Sequence, residues 1–416
     1  MITALILVLS ATWCGYVAVS RRDRRSKGLL IVGLVLRLVG AVAYLGVIGA
    51  AYGGGDYDLY INRGSLMAER MAQGDWEIVS GYLWNDGLPR FGTQFVVNVT
   101  AFMIYLFGTS LLDLFLIFSL LGFAGCVLIA RAIRSGYGTA TSNRVLVGLM
   151  LFPSLWFWPS VLGKDAIVLL GLGIAVAAFA SRRHRWGMLL VGLSLVFLIR
   201  PQVTAVVVFS MALARTLGAG GTWTLSRAIR TVGVFGLVGI TLILASDLLG
   251  FSFINASEIG NYLSTRASQG AYGGSSIELR GPQWLLPVLG LGTVLFRPFL
   301  WEASGLVALA AAVEIFVFWM FALSRWPQVK TFLSQGKKPP IFWFALVFLL
   351  VYGTLLGLAL GNLGTFVRQR VHLYPFLFLF MLAIPPARVI RSAAHRQARA
   401  GGRLNFGRGT SLPTPA

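Results

Sequence analysis

Long apolar segments, separated by short polar or basic stretches, make up most of this 416-residue chain. A segment of roughly 20 apolar residues is long enough for a helix to cross the hydrocarbon core of a bilayer. Taken in order, the segments predict about eleven transmembrane helices, several of them short. The predicted spans are 1–20, 28–52, 111–130, 146–159, 167–180, 187–199, 203–217, 232–249, 303–323, 342–360 and 371–384.

Three further segments are predicted to lie at the membrane surface or to re-enter it. Residues 59–71 space their apolar side chains along one helix face, which predicts an amphipathic helix on the membrane. Residues 95–107 and 284–296 predict interfacial or re-entrant helices within two long outer loops, about 53–110 and 250–302. The predicted fold class is therefore an all-α polytopic membrane protein. It has one transmembrane domain over 1–390 and a basic, disordered tail over 391–416.

Composition agrees with this class. The mean hydropathy is +0.78, and 57% of residues are hydrophobic while 12% are charged. A net charge of +21 would suggest nucleic acid as the partner of a soluble protein. In a membrane protein the basic residues are instead expected in cytoplasmic loops. The expected partner is therefore the lipid bilayer, and no nucleic acid.

The basic clusters predict how the chain is oriented. The cluster at 21–27 is expected inside, which places the N-terminus outside and makes the loop after residue 52 an outer one. The last span returns the C-terminal tail to the cytoplasm. The protein is thus expected as a multi-pass protein of the plasma (inner) membrane. Every acid except Asp23 then falls in an outer loop or in the membrane, and Glu314 falls mid-bilayer.

An acidic pair opens the first outer loop. Asp56 and Asp58 come directly after an apolar span and three glycines at 53–55. Carboxylates at the mouth of a membrane helix indicate a functional site, because burying charge there is costly. The alternative is that they form a turn or cap at a helix end.

Cationic residues recur at the same predicted level in four distant segments. Outer loops are normally poor in such residues, and arginine binds phosphate oxygens through two parallel hydrogen bonds. Their excess predicts an anionic ligand such as a lipid diphosphate headgroup. The alternative is a set of structural ion pairs, in which Asp165 pairs with Arg200 or with the adjacent Lys164. The predicted phosphate-binding residues are Lys164, Arg200, Arg297, Arg368 and Arg370, supported by Asp165, Gln202, Glu302 and His372.

Three tryptophans lie near the predicted outer ends of spans. Trp156, Trp158 and Trp301 are candidates for stacking on sugar rings, and the alternative is the ordinary tryptophan belt of a membrane interface. Glu314 and His372 are secondary candidates. Glu314 is expected to pair with a polar group of a neighbouring helix.

This layout resembles that of the GT-C-type membrane glycosyltransferases. The shared features are an apolar span, an acidic motif opening the first outer loop, an amphipathic helix and many spans with a Pro-rich outer hinge. The stretches 152–165 and 297–302 also look like those of multi-span proteins from bacterial polysaccharide gene clusters. The resemblance covers roughly residues 28 to 385.

The resemblance implies transfer of a sugar from a polyprenyl-(di)phosphate donor to a glycan or lipid-linked acceptor on the extracytoplasmic face, with inversion. It implies that Asp56 or Asp58 accepts the proton of the acceptor hydroxyl, or that the two hold a divalent metal, Mg²⁺ or Mn²⁺. Asp56, which is nearer the glycines, is the favoured base. Two alternatives remain: a repeat-unit polymerase or ligase, and a transporter or flippase of lipid-linked glycans.

Overall fold

The structure is a computed structural model, and it describes part of the chain. The described residues are 24–85, 88–181, 183, 185–218, 229, 233, 236, 281–282, 284–334, 336, 338–359 and 362–383. The predicted spans 1–20 and 232–249 lie outside these residues, apart from isolated positions. Most of the loop 250–283 and the tail 391–416 also lie outside them.

The first half of the described chain is a run of helices with one small hairpin. The hairpin pairs β1 (Trp84–Asn85) with β2 (Leu88–Pro89) in antiparallel register, Trp84 opposite Pro89. The helices are α1 (Arg24–Tyr52), α2 (Asp56–Gln73), α3 (Trp76–Leu83), α4 (Thr93–Phe107), α5 (Leu111–Leu151), α6 (Pro153–Phe157) and α7 (Lys164–Phe179). A 3-10 turn, Trp158–Ser160, separates α6 from α7.

The second half continues in the same way. Its helices are α8 (Trp186–Ile199), α9 (Pro201–Gly218), α10 (Leu286–Phe296), α11 (Leu306–Ser324), α12 (Trp326–Ser334), α13 (Pro340–Ala359), α14 (Leu363–Gln369) and α15 (Tyr374–Leu382). Two 3-10 turns, Leu300–Glu302 and Arg370–His372, precede α11 and α15.

Five of these helices are long and apolar enough to cross a membrane: Ser26–Ala50, Leu111–Leu151, Pro201–Gly218, Leu306–Ser324 and Pro340–Ala359. The bent pair Pro153–Ser160 and Lys164–Phe179, with an angle of 115° between its halves, makes a sixth if it counts as one broken span. The predicted all-α membrane architecture is therefore confirmed at this level for the described residues. The number of eleven spans is not tested, because 1–20 and nearly all of 232–249 lie outside these residues. Of the other predicted spans, 111–130 and 146–159 fall in one element of 41 residues, and α8 and α15 are helices of 14 and 9 residues.

Helix α5 is two helices joined at a sharp reversal. Gly138 has φ of 80°, a left-handed value that favours glycine, inside an otherwise helical run. The Ser142 hydroxyl donates to the Ala130 carbonyl at 2.8 Å, although 12 residues of straight helix would separate them by about 18 Å. The two predicted spans 111–130 and 146–159 are thus antiparallel halves of one element.

Helix α2, in the predicted first outer loop, is amphipathic, as its spacing predicts. In α2 the apolar face buries Tyr57, Tyr60, Met67 and Met71, and this face packs on α4. Helix α2 therefore has a fixed position, with its first turn beside the end of α1.

The core of the bundle is built around α5, which packs against α1, α7 and α15. Where α5 meets α7, a Cβ on Gly125 would clash with the Leu169 carbonyl, and a Cβ on Gly173 would clash with Gly125. Small residues at such a crossing let two membrane helices approach closely. This contact fixes α7, whose first turn holds Lys164 and Asp165.

Candidate functional site

A cavity of about 530 Å³ lies where the end of α1, the first turns of α2 and α7, the α8–α9 junction, α11 and α14 meet. Its polar side includes Asp56, Lys164, Arg200, Glu302 and Arg368. These residues come from distant parts of the sequence, so the predicted convergence of acids and cations is present in the structure.

Asp165 is the buried centre of this cluster, although it does not line the cavity. Its side chain is 2% exposed, and Oδ1 accepts a hydrogen bond from Arg200 Nη2 at 3.0 Å. Its Oδ2 accepts from Arg368 Nε. Arg200 lies at the break between α8 and α9, because a residue before proline is driven out of helical geometry. For Arg200 the structure therefore contains the predicted alternative, a structural ion pair with Asp165.

Arg368 links the two acids of the site. Its Nη1 donates to Asp56 Oδ2 at 2.6 Å, and its Nε donates to Asp165. Burial acts to lower the pKa of Arg368, but Asp165 and Asp56 outweigh it and raise the pKa well above its ordinary value. Helix α14 presents this side chain from its last turn, and Asn362 caps the start of α14 by accepting from Gly364 N at 2.8 Å.

The two acids of the predicted first outer loop, Asp56 and Asp58, have different surroundings. Asp56 is 61% exposed on its side chain and lines the cavity. Asp58 Oδ2 accepts from the Gly55 backbone N–H at 2.7 Å, which is a helix cap, and Asp58 does not line the cavity. Residues at i and i+2 of a helix face in different directions, which explains the division.

This division bears on the predicted metal. The proposal that Asp56 and Asp58 together hold Mg²⁺ or Mn²⁺ does not fit, because Asp56 lines the cavity whereas Asp58 lies outside its lining and caps the helix. In the described part of the chain there is also no group of three or more His, Cys, Asp or Glu residues arranged to hold a metal ion.

Lys164 differs from the other cations that line the cavity in its bonding partner, which is a hydroxyl and not a carboxylate. It begins α7 after Gly163, and its Nζ donates to the Thr93 hydroxyl at 2.8 Å. Among the described residues, no carboxylate is within ion-pair distance of this Nζ. The predicted alternative of a mutual Lys164–Asp165 pair is therefore not what forms.

Arg297 and Glu302 form a separate pair on the cavity rim. Arg297 Nη2 is 2.6 Å from Glu302 Oε1, and the Phe299 N–H donates to Glu302 Oε2 at 2.9 Å. Burial acts to raise the pKa of Glu302, but the hydrogen bonds from Arg297 and Phe299 outweigh it and lower the pKa. Glu302 lines the cavity, whereas Arg297 does not.

The remaining predicted site residues lie elsewhere. Arg370 is buried and donates through Nη2 to the Arg297 carbonyl, and His372 is buried 3.9 Å from Asp165 Oδ1. His372 is outside the spanning helices, and burial lowers its pKa to about 4 despite the opposing effect of Asp165. Gln202 is exposed on α9 and does not line the cavity.

The three tryptophans also separate. Trp158 lines the cavity and packs edge-to-face on Tyr44, with ring centroids 6.0 Å apart. Trp156 donates to the Leu151 carbonyl, and Trp301 is 81% exposed and stacked on Phe299; neither lines the cavity.

Part of the cavity wall is apolar. Tyr44 and Ile48 come from α1, and Val307, Ala308 and Ala311 come from α11. Both helices are among those long enough to cross the membrane. Sequence reasoning missed these residues, although their spacing of three and four marks one face of each helix.

Two charged side chains lie deep in spanning helices, away from the cavity. Glu314 of α11 accepts from the Ser154 N–H at 3.2 Å, as its predicted role as a partner of a neighbouring helix requires. Arg37 of α1 was missed; it is fully buried and donates to Cys126 Sγ at 3.0 Å. A single arginine within an apolar span was the signal for it.

Comparisons of the chain with protein-family models, with curated proteins and with solved structures gave no match. The function is therefore argued from the geometry of this cavity.

Proposed function

We propose that the protein is a membrane glycosyltransferase that moves a sugar from a polyprenyl-linked phosphate donor to an acceptor hydroxyl on the extracytoplasmic face. One observation supports this more than any other. A single cavity is lined by an exposed carboxylate, Asp56, and by the cations Lys164, Arg200 and Arg368. Apolar residues of α1 and α11, two helices long enough to span a membrane, line the same cavity.

The cations suit a phosphate leaving group. As the bond between the sugar carbon and the phosphate oxygen breaks, negative charge develops on the phosphate. Positive groups already fixed in place stabilise that charge without having to reorganise. Asp165 keeps Arg200 and Arg368 in place through two hydrogen bonds, so Asp165 is a positioning residue. Among the described cations that line the cavity, Lys164 is the one not already paired with a carboxylate.

Asp56 suits the role of general base. The acceptor oxygen forms the new bond to the sugar carbon, and its proton passes to the Asp56 carboxylate while the phosphate leaves with the electron pair of the broken bond. The side chain is 61% exposed, so an acceptor hydroxyl can reach it. Arg368 holds one of its oxygens, which leaves the other free for the proton.

The apolar wall favours a lipid-linked donor over a soluble one. An isoprenoid chain gains free energy when it leaves water for an apolar surface, at about 25 cal/mol per Å². Residues Tyr44, Ile48, Val307, Ala308 and Ala311 offer that surface directly beside the charged groups.

Transfer assays with two matched variants test the proposal. The purified protein in nanodiscs is supplied with a panel of polyprenyl-linked radiolabelled sugars, and labelled product is counted. Asp56→Asn should lower turnover by about 10²–10⁴-fold, the usual contribution of a general base. Asp58→Asn, which removes the same charge two residues away, should retain turnover, because Asp58 does not line the cavity and the asparagine oxygen can still accept from the Gly55 N–H.

Equal turnover of wild type and Asp56→Asn would refute the role of Asp56 as the general base. Movement of the labelled lipid across the bilayer, with no transfer from any donor, would favour a transporter instead. Transfer only when the acceptor is itself lipid-linked would identify the enzyme as a polymerase or ligase acting through the same cavity.

A further inference from the structure

The charges of the cavity nearly cancel within the described residues. Three carboxylates are each in an ion pair with an arginine: Asp165 with Arg200, Asp56 with Arg368, and Glu302 with Arg297. Lys164 is left over as one unmatched positive charge.

Neighbouring buried groups do not alter this balance. His372 is neutral at pH 7, because its pKa is lowered by burial to about 4. Arg370 and Glu314 both lie outside the cavity lining, and Arg370 donates to the Arg297 carbonyl, so neither is counted in it. Counted over the described residues, the charged groups around the cavity therefore have a net charge of about +1 at neutral pH, which sets how much anionic charge a ligand can bring at low cost.

The two classes of polyprenyl-linked sugar differ by one charge. When a single phosphate joins lipid and sugar it is a phosphodiester with one negative charge, whereas a diphosphate bridge has two. A charge taken from water into a site of low dielectric constant is costly unless an opposite charge meets it. A second phosphate would need another cation, and the arginines here are already engaged with carboxylates.

From this balance we propose that the donor is a polyprenyl monophosphate sugar, a singly charged phosphodiester, and that Lys164 binds its phosphate. This inference rests on the proposed function and names its substrate class. A monophosphate differs from the lipid diphosphate that the number of basic residues in the sequence suggests. The reason is that the structure pairs three of those residues with acids.

Two probes that differ by one phosphate group, and so by one negative charge, test the proposal. Farnesyl methyl phosphate has one negative charge and farnesyl methyl diphosphate has two, and binding of each to the protein in zwitterionic nanodiscs is titrated with and without Mg²⁺. The wild type should bind the one-charge probe more tightly. Lys164→Met should weaken that binding by about tenfold or more, the loss of one charge-assisted contact, and Lys164→Arg should retain most of it.

A third variant gives an effect in the opposite direction. Asp56→Asn removes the carboxylate partner of Arg368 and so adds a second unmatched cation. Its affinity for the two-charge probe should therefore rise relative to wild type, a gain that misfolding does not produce. Circular dichroism and size exclusion confirm that each variant is folded.

The outcomes separate this inference from the function on which it rests. Tighter binding of the two-charge probe by wild type, or unchanged binding after Lys164→Met, overturns the inference. If sugar is then transferred from a diphosphate donor, the proposed glycosyltransferase stands without it. If no sugar is transferred from either class of donor, the proposed function falls, and this inference falls with it.

Discussion

Asp165 offers the sharpest test of how the site is held together. Its carboxylate is 2% exposed and bonds two arginines from different helices, Arg200 and Arg368. The change Asp165→Asn preserves the size of the side chain and removes its charge. Arg368 keeps Asp56 as a partner, but Arg200 is left buried with no carboxylate. Breaking a buried ion pair in this way costs about 3–5 kcal/mol, because one charge stays uncompensated.

The measurement is the free energy of unfolding in detergent, followed by tryptophan fluorescence under increasing denaturant. Asp75→Asn is the matched control, since Asp75 pairs with Arg70 at 3.1 Å on the surface. That exposed pair should contribute no more than about 1 kcal/mol. Adding Arg200→Gln to Asp165→Asn should recover part of the loss, because it removes the orphaned charge.

The reasoning is wrong if Asp165→Asn destabilises the protein no more than Asp75→Asn does. It is also wrong if Arg200→Gln costs as much stability in the Asp165→Asn background as it does in the wild type. Either result would mean that water or another group already satisfies Arg200, and that Asp165 does not position it.

Two further predictions concern groups outside the cavity centre. Glu302 has a lowered pKa in the folded protein, so its pair with Arg297 should stabilise fully above about pH 4.5 and lose that effect as pH falls further. The advantage of wild type over Glu302→Gln in apparent Tm should therefore shrink between pH 5 and pH 3, and a constant advantage would contradict it. Cys126→Ala removes the thiol that accepts from the buried Arg37, so it should cost roughly 1–3 kcal/mol more in wild type than in an Arg37→Met background. Equal costs in the two backgrounds would show that the Arg37–Cys126 contact contributes nothing.

Much of the architecture follows from local pattern. The spacing of apolar residues over 59–71 predicts helix α2, and the break at Pro201 predicts the bend that exposes Arg200 to Asp165. The excess of cations beside predicted outer ends correctly indicates that Lys164, Arg200 and Arg368 lie around one cavity. These signals are local, because each depends on helix periodicity or on proline geometry within a few residues.

What sequence alone could not supply is pairing across long distances. Whether Asp56 or Asp58 faces the cavity depends on where α2 begins, and a shift of one residue would rotate its first turn by 100°. The partner of Arg37 is Cys126, 89 residues later. Likewise, the number of unmatched cations depends on three ion pairs, of which only Arg297–Glu302 is close in sequence.

The bond between Arg368 and Asp56 joins residues 312 positions apart. At synthesis rates of roughly 5–20 residues per second, Asp56 leaves the ribosome about 15–60 s before Arg368 does. During that interval Asp165 can bind Arg200 but not its second arginine. A nascent chain lacking α14 therefore inserts without a finished charge network, so the site matures only when nearly the whole chain is in the membrane.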